Sequence, residues 1–331
     1  MIILGIDTSC DDTSFAVLRN GRELLANLVS SQIDLHRVFG GVVPEIASRK
    51  HVELVDQLYH EVLQNANLSG KSIQAIGVTS GPGLIGSVLM GLCFAKGLSL
   101  SLGIPIIGVN HIEAHAMSIL LEYDVEFPFI ALVVSGGHTI ILRIDDFGLY
   151  KVLGSTRDDA AGEAFDKIAK FLGLGYPGGR IIEKMSKEGK PDHVFFPRPM
   201  LDDNNYDFSF SGLKTSMINY IKKYNVNDEN ISDILSSFQE AAFDVLANKT
   251  LRAAKNLGIP RIVVGGGVAS NGRLRAIFHE RCSKDRIDVF FSSPEFCTDN
   301  GAMVAKVAHH YYVTNKTSPI DIAGYSRMKF H

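Results

Sequence analysis

The chain opens on short apolar runs broken by polar turns. Ile2–Asp7, Ser14–Leu18 and Glu23–Val29 read as strands, and Asn20-Gly21 between the last two is a strong hairpin signal, so an antiparallel meander is expected first. A helix around Arg49–Asn67, a strand around Ala75–Thr79, a long helix after Pro82-Gly83 and a strand near Pro105–Val109 then give α/β alternation. The second half repeats the theme. Phe129–Val134 leads through Ser135-Gly136-Gly137 into His138–Ile144. Arg261–Val264 is followed by Gly265-Gly266-Gly267 and a helix from about Ala269, and Ile287–Phe291 by a helix over Asn300–Tyr312. Two similar α/β lobes around a cleft are implied: residues 1–125, completed by a C-terminal helix near 300–331, and residues 126–299. The stretch near 173–215, with Pro177, Pro191, Pro197 and Pro199, reads as a loop-rich insertion that carries specificity contacts.

Composition sharpens this picture. A length of 331 residues exceeds what one hydrophobic core usually supports, and 46% hydrophobic with 21% charged residues argues against disorder, collagen-like repeats or a coiled coil. The formal net charge of −3 is not that of a protein gripping nucleic acid by overall charge, so any such role must be local. One local surplus exists: between Arg261 and Arg286 six basic residues face two acidic ones. Cys10, Cys93, Cys282 and Cys297 form no CxxC pair, which fits a reducing compartment. The N-terminus lacks a basic leader and meets Asp7, Asp11 and Asp12 at once. The apolar stretch Leu84–Leu102 contains Lys96 and three glycines, which suits a buried helix. A cytoplasmic protein without a membrane association is expected.

Four polar clusters carry candidate chemistry. The turn Asp7-Thr8-Ser9-Cys10-Asp11-Asp12-Thr13-Ser14 packs three carboxylates and several hydroxyls between two apolar strands, a set suited to holding a cation, orienting water or binding phosphate. The glycines of Val134-Ser135-Gly136-Gly137-His138 and of Gly265-Gly266-Gly267-Val268-Ala269-Ser270-Asn271 allow a ligand to approach the backbone, and Asn271 can cap a helix or bond a nucleoside hydroxyl. The spacing is not GxGxxG, so a dinucleotide is disfavoured. In Asn110-His111-Ile112-Glu113-Ala114-His115, His111 and His115 share one helix face and can chelate a divalent metal, with Asp299 the best third ligand. Glu113 points away from that face, so the base of an HExxH protease is misplaced. A metalloprotease leaves the Gly-rich turns without purpose, a small-molecule kinase leaves the histidine pair unexplained, and a non-catalytic nucleotide-binding scaffold has little need of a chelating site.

Taken in order, Gly5-Ile6-Asp7-Thr8-Ser9-Cys10-Asp11-Asp12-Thr13, His36 through Gly40-Gly41-Val42-Val43-Pro44-Glu45 to His51, Ser80-Gly81-Pro82-Gly83, His111/His115, Ser135-Gly136-Gly137-His138-Thr139, Gly162–Lys167, Tyr176–Gly179, Phe208–Thr215, Gly265–Asn271 and Thr298–Ala302 resemble the TsaD family. These are bacterial tRNA threonylcarbamoyladenosine transferases once described as glycoproteases. The resemblance implies the two-lobed actin-like ATPase fold of sugar kinases and Hsp70, with duplicated mixed sheets. It also implies transfer of L-threonylcarbamoyl from its adenylate to the N6 amine of adenosine 37 in tRNAs reading codons that begin with A, with release of AMP. By matching motif, His111, His115 and Asp299 would hold one divalent metal, Fe²⁺ in the first place, with Zn²⁺ or Mg²⁺ as alternatives. Val133, Val134, Ser135, Gly136, Gly137, Asp166, Gly179, Glu183 and Asn271 would bind the adenylate or an adenine nucleotide (ATP, ADP or AMP). Glu183 departs from the aspartate common there. Asp11 or Asp12 would serve as general base. Implied partners are tRNA, a TsaB-type paralogue, a TsaE-type ATPase and a TsaC-type synthase that supplies the adenylate.

Overall fold

The computed structural model describes residues 1–327; the helix expected near 300–331 ends at Val313, and residues 328–331 lie outside the described residues. Two compact units account for the chain, one formed by residues 1–125 with the segment from Glu295 onward, the other by Glu126–Pro294.

In the first unit, β1 (Ile2–Asp7), β2 (Asp12–Arg19) and β3 (Glu23–Ser31) form the antiparallel meander, its turn made by Asn20 and Gly21 in left-handed backbone. Two helices follow, the short α1 (Ile33–Arg37) and the long α2 (Pro44–Asn65). Then β4 (Ala75–Gly81), α3 (Ile85–Leu102), β5 (Ile106–Asn110) and α4 (His111–Met117) complete the α/β half. The sheet order is β3-β2-β1-β4-β5, with β4 parallel to both β1 and β5. Alternation along β1 sends Ile2, Leu4 and Ile6 to one face, where they pack with Val55, Leu58, Tyr59 and Val62 of α2 and Val88 and Leu92 of α3. The opposite face is covered by the last helix, α11 (Gly301–Val313), which lies so close that a Cβ on Gly5 would overlap the Gly301 carbonyl. The helix α3 has the length and hydropathy of a membrane span, but it packs on β4 and α2.

The second unit repeats the order. β6 (Phe129–Val134), β7 (Thr139–Asp146) and β8 (Leu149–Ser155) are an antiparallel meander, and β9 (Arg261–Gly265) and β10 (Asp288–Phe291) extend it in parallel as β10-β9-β6-β7-β8. Between them run α5 (Ala161–Phe171), α6 (Gly178–Ser186), α7 (Ser211–Lys223) and the long α8 (Ile231–Leu257), with α9 (Gly272–Asp285) after β9 and the single turn α10 (Pro294–Cys297) after β10. Each sheet is thus a three-stranded meander joined to two parallel strands, which bears out the duplicated mixed-sheet fold class. The stretch 173–215 is less irregular than its prolines suggest. Ile181, Ile182 and Met185 give it a helical apolar stripe, and α6 forms on it directly after Pro177. Its far end is latched by Asp158, whose carboxylate accepts from the Ser209 and Ser211 hydroxyls and from the Phe210 and Ser211 amides.

Candidate functional site

His111 and His115 stand on α4, whose first turn is fixed by Asn110: its side-chain oxygen accepts from the amides of Ile112 and Glu113 at 2.9 and 3.2 Å. Every residue of this helix is buried, so both imidazoles project from a rigid platform. Asp299 arrives from the segment before α11. It is not the helix cap that an Asp at this place suggests, because Asn300 accepts the Met303 amide instead and leaves the Asp299 carboxylate free of that duty. Asp299 Oδ1 lies 3.1 Å from His115 Nε2 and 3.7 Å from His111 Nε2, and the three donor atoms fall within 4.8 Å of one another. This is a possible His/Asp metal site. Burial opposes charge on His111, but the carboxylates of Asp299 and Asp7 more than offset it and hold its pKa up at about 9. A metal here must displace that proton. Glu113 points away and both its carboxylate oxygens accept from the Tyr311 hydroxyl of α11.

The turn between β1 and β2 brings Asp11 and Asp12 to the same unit. Burial, with Asp299 next among the causes that raise it, pushes the Asp12 carboxyl from 3.8 to about 7; Asp11 is raised as well, burial again the main cause. One Asp12 oxygen, Oδ1, is buried without a hydrogen-bond partner among the described residues. The turn is braced from α2 by His51, whose Nε2 donates to the Cys10 carbonyl at 3.0 Å while its Nδ1 is 2.7 Å from the Thr13 hydroxyl. Asp7 and Ser9, from the same segment, reach His111 Nδ1. Local spacing carries no sign of the His51 brace, the Asp7 contact or the Tyr311 contact, since each joins residues at least 38 positions apart.

In the second unit the expected adenylate residues gather at one end of the sheet. Val133 and Val134 end β6, fully buried, and Ser135-Gly136-Gly137 make the turn, closed by the Ser135 amide on the His138 carbonyl at 2.8 Å. The start of α5 sits against it, the Gly162 amide donating to the Ser135 carbonyl. Gly266, at φ 90°, is pressed on Val134 so closely that any Cβ would overlap its carbonyl. By contrast, at Gly136, Gly137, Gly179 and Gly267 no described residue beyond the glycine's own local chain comes within 4 Å of where a Cβ would stand, which leaves space for a ligand beside the backbone. Asp166 accepts from the Gly178 amide at 2.7 Å and Glu183 from the Gly272 amide at 2.8 Å, so these carboxylates occupy the first amides of α6 and α9. Asn271 caps α9 through its oxygen and gives one amide proton to Gln239, so capping is its role in the free chain.

The basic surplus between Arg261 and Arg286 is largely neutralised by pairing: Arg261 with Glu126, Arg273 with Glu240, Arg281 with Asp244 and Lys284 with Glu280. The stretch is no bare cationic face. Arg180, Lys184 and Lys187 lie on one side of α6 and its end, exposed, and among the described residues no ion pair holds them or Lys190.

A family model described as TsaD, tRNA N6-adenosine threonylcarbamoyltransferase, matches residues 23–306. The chain is 49% identical to the tRNA N6-adenosine threonylcarbamoyltransferase of Syntrophotalea carbinolica, over 97% of this chain and 95% of the relative. It is also 49% identical to the enzyme of that name from Clostridium kluyveri, over 99% and 97%. Among solved structures it is similar to HypF of T. kodakarensis, with TM-score 0.65 and 16% identity over 95% of this chain and 48% of that one. Component A of the Acidaminococcus fermentans (R)-2-hydroxyglutaryl-CoA dehydratase aligns with TM-score 0.57 and 15% identity over 95% and 99%. At such identities these structures speak to the fold alone, and it is the actin-like ATPase fold.

Proposed function

The chain belongs to the TsaD family, tRNA N6-adenosine threonylcarbamoyltransferases, and on that premise we propose how its residues divide the work. It is a transferase that modifies adenosine in tRNA; the donor in this reading is threonylcarbamoyl-adenylate, the acceptor adenosine 37, and AMP leaves. The observation that carries it is the convergence of His111, His115 and Asp299 within 4.8 Å, which neither a kinase nor a scaffold needs. Two imidazoles and one carboxylate, with the Nε2 atoms turned toward Asp299, fit Fe²⁺ or Zn²⁺ better than Mg²⁺. When bound, such a metal supplies Lewis acidity and a clamp for phosphate oxygens.

A mixed anhydride already carries its activation, so the chain's task is to position the donor, stabilise developing charge and move one proton. The open glycines at 136, 137 and 179 admit the nucleotide against backbone, and the Ser135 turn and the N-terminal amides of α5 favour its phosphate. Asp166, Glu183 and Asn271 hold the starts of α6 and α9 in place for it. Asp12, whose carboxyl burial pushes above the ordinary carboxylate range, accepts the proton from the N6 amine, with Asp11 as the alternative base. Arg180, Lys184, Lys187 and Lys190 supply tRNA phosphate contacts. A TsaB-type paralogue, a TsaE-type ATPase and a TsaC-type synthase complete the system, in the cytoplasm.

The test incubates the chain, with those partners, with threonylcarbamoyl-adenylate carrying labelled threonine and with unmodified tRNA. Label in tRNA is expected. Proteolysis of casein without any tRNA labelling would overturn the reading.

A further inference from the structure

His111 is held from behind as well as facing Asp299. Its Nδ1 lies 3.1 Å from Asp7 Oδ2 and 3.1 Å from the Ser9 hydroxyl, and all three side chains are buried. Asp7 is itself fixed, since its other oxygen, Oδ1, accepts the Ser9 amide at 2.7 Å. Among the described residues His115 has no such support: its Nδ1 is buried without a hydrogen-bond partner. The two imidazoles are therefore unequal. Only His111 has an acceptor that keeps a proton on Nδ1 and so leaves the Nε2 lone pair available.

We propose that Asp7, seconded by Ser9, is a positioning residue that selects the ring nitrogen His111 offers to a divalent metal, and that His111 is thereby the anchoring ligand of the pair. This rests on the metal reading of His111, His115 and Asp299. A carboxylate behind a ligating imidazole fixes both ring orientation and tautomer, and its loss typically lowers metal affinity by about 10–100-fold.

The geometry makes an unusual ordering of variants. In Asp7→Asn the Ser9 amide still needs an acceptor, so the new carbonyl oxygen stays at the Oδ1 place and the NH₂ group faces His111 Nδ1. That donor makes Nδ1 accept and drives the ring proton to Nε2, where it blocks the metal. In Asp7→Ala the Ser9 hydroxyl remains as acceptor. The isosteric change is thus the more damaging one, the reverse of what a packing role would give.

The experiment titrates the full chain with Zn²⁺ against a competing chelator at fixed pH. Expected is the order wild type, then Asp7→Ala, then Asp7→Asn, the last weaker than wild type by about 10–100-fold. In Zn²⁺-loaded wild-type protein carrying ¹⁵N-histidine, His111 should show a protonated Nδ1. Asp7→Asn binding as tightly as Asp7→Ala or as wild type overturns the proposal. If the Asp7 variants do not fold, Ser9→Ala decides: a several-fold loss supports it and unchanged affinity overturns it. A wild-type chain that takes up no Zn²⁺ and no Fe²⁺ refutes the metal reading itself, an outcome distinct from a reordered variant series.

Discussion

The Tyr311 hydroxyl donates to both carboxylate oxygens of Glu113, at 2.8 and 3.0 Å, and so joins the last helix of the first unit to the helix that bears the two histidines. Glu113 is only 3% exposed, and removing this donor strips a buried carboxylate of a partner. Tyr311→Phe should destabilise the chain by about 1–3 kcal/mol in urea melts. Glu113→Gln should retain threonylcarbamoyl transfer, because this carboxylate is engaged in structure; loss of transfer by a well-folded Glu113→Gln would give it a role in the reaction.

Replacing metal ligands should separate binding from folding. His111→Ala, His115→Ala and Asp299→Ala are each expected to lower metal content, read by elemental analysis of the purified chain, and to abolish transfer. Treating wild type with a strong chelator should reproduce the loss and lower its melting temperature, since a ligand bound only by the folded state stabilises it. Full activity in a metal-free preparation would contradict the assignment.

Asp12 makes stability depend on pH. Its folded pKa of about 7 lies above the ordinary 3.8, so between these values the folded chain binds more protons than the unfolded one. The contribution of protonated Asp12 is full below about pH 4 and lost as pH rises through about 7. In chelated protein, Asp12→Asn should therefore gain on wild type at pH 8 relative to pH 4, by up to about 4 kcal/mol for the full shift. Urea melts at the two pH values check this; equal differences would mean that the carboxyl is not shifted. The same variant should lose transfer from preformed adenylate if Asp12 is the base, whereas full transfer by both Asp11→Asn and Asp12→Asn removes both candidates.

On α6 the aligned side chains of Arg180, Lys184 and Lys187 give a prediction about salt. Each substitution by Ala should weaken tRNA binding similarly across tRNA sequences and reduce the slope of log affinity against log salt by about 0.7–0.9. Filter binding over a salt series measures it. The same change at Arg273 or Arg281 should leave the slope near wild type, because Glu240 and Asp244 already hold those guanidiniums.

Much of the frame was legible from local pattern. The strands announce themselves as short apolar runs broken by polar turns, the first hairpin by Asn20-Gly21, and the chelating pair by the spacing of His111 and His115. Local pattern also named Asp299, but for a reason that it could not supply: Asn300 takes over capping, and only the folded unit carries the carboxylate across 184 positions to His115. The α6 stripe was hidden by the prolines around it, since Pro177 starts that helix where a loop was expected. Charge counting failed for a different reason. The run from Arg261 to Arg286 is basic in sequence, yet its partners Glu126, Glu240 and Asp244 come from elsewhere in the chain, and net charge along a segment is blind to them.

Because α11 and Asp299 follow the whole second unit in sequence, the first unit is finished out of order on the ribosome. Its sheet leaves the exit tunnel with one face bare and two of three candidate ligands in place. The covering helix arrives only after some further 170 residues of the second unit have been made, about 10–30 s later at ordinary synthesis rates. Through that interval the nascent chain presents an apolar sheet and an incomplete chelating pair.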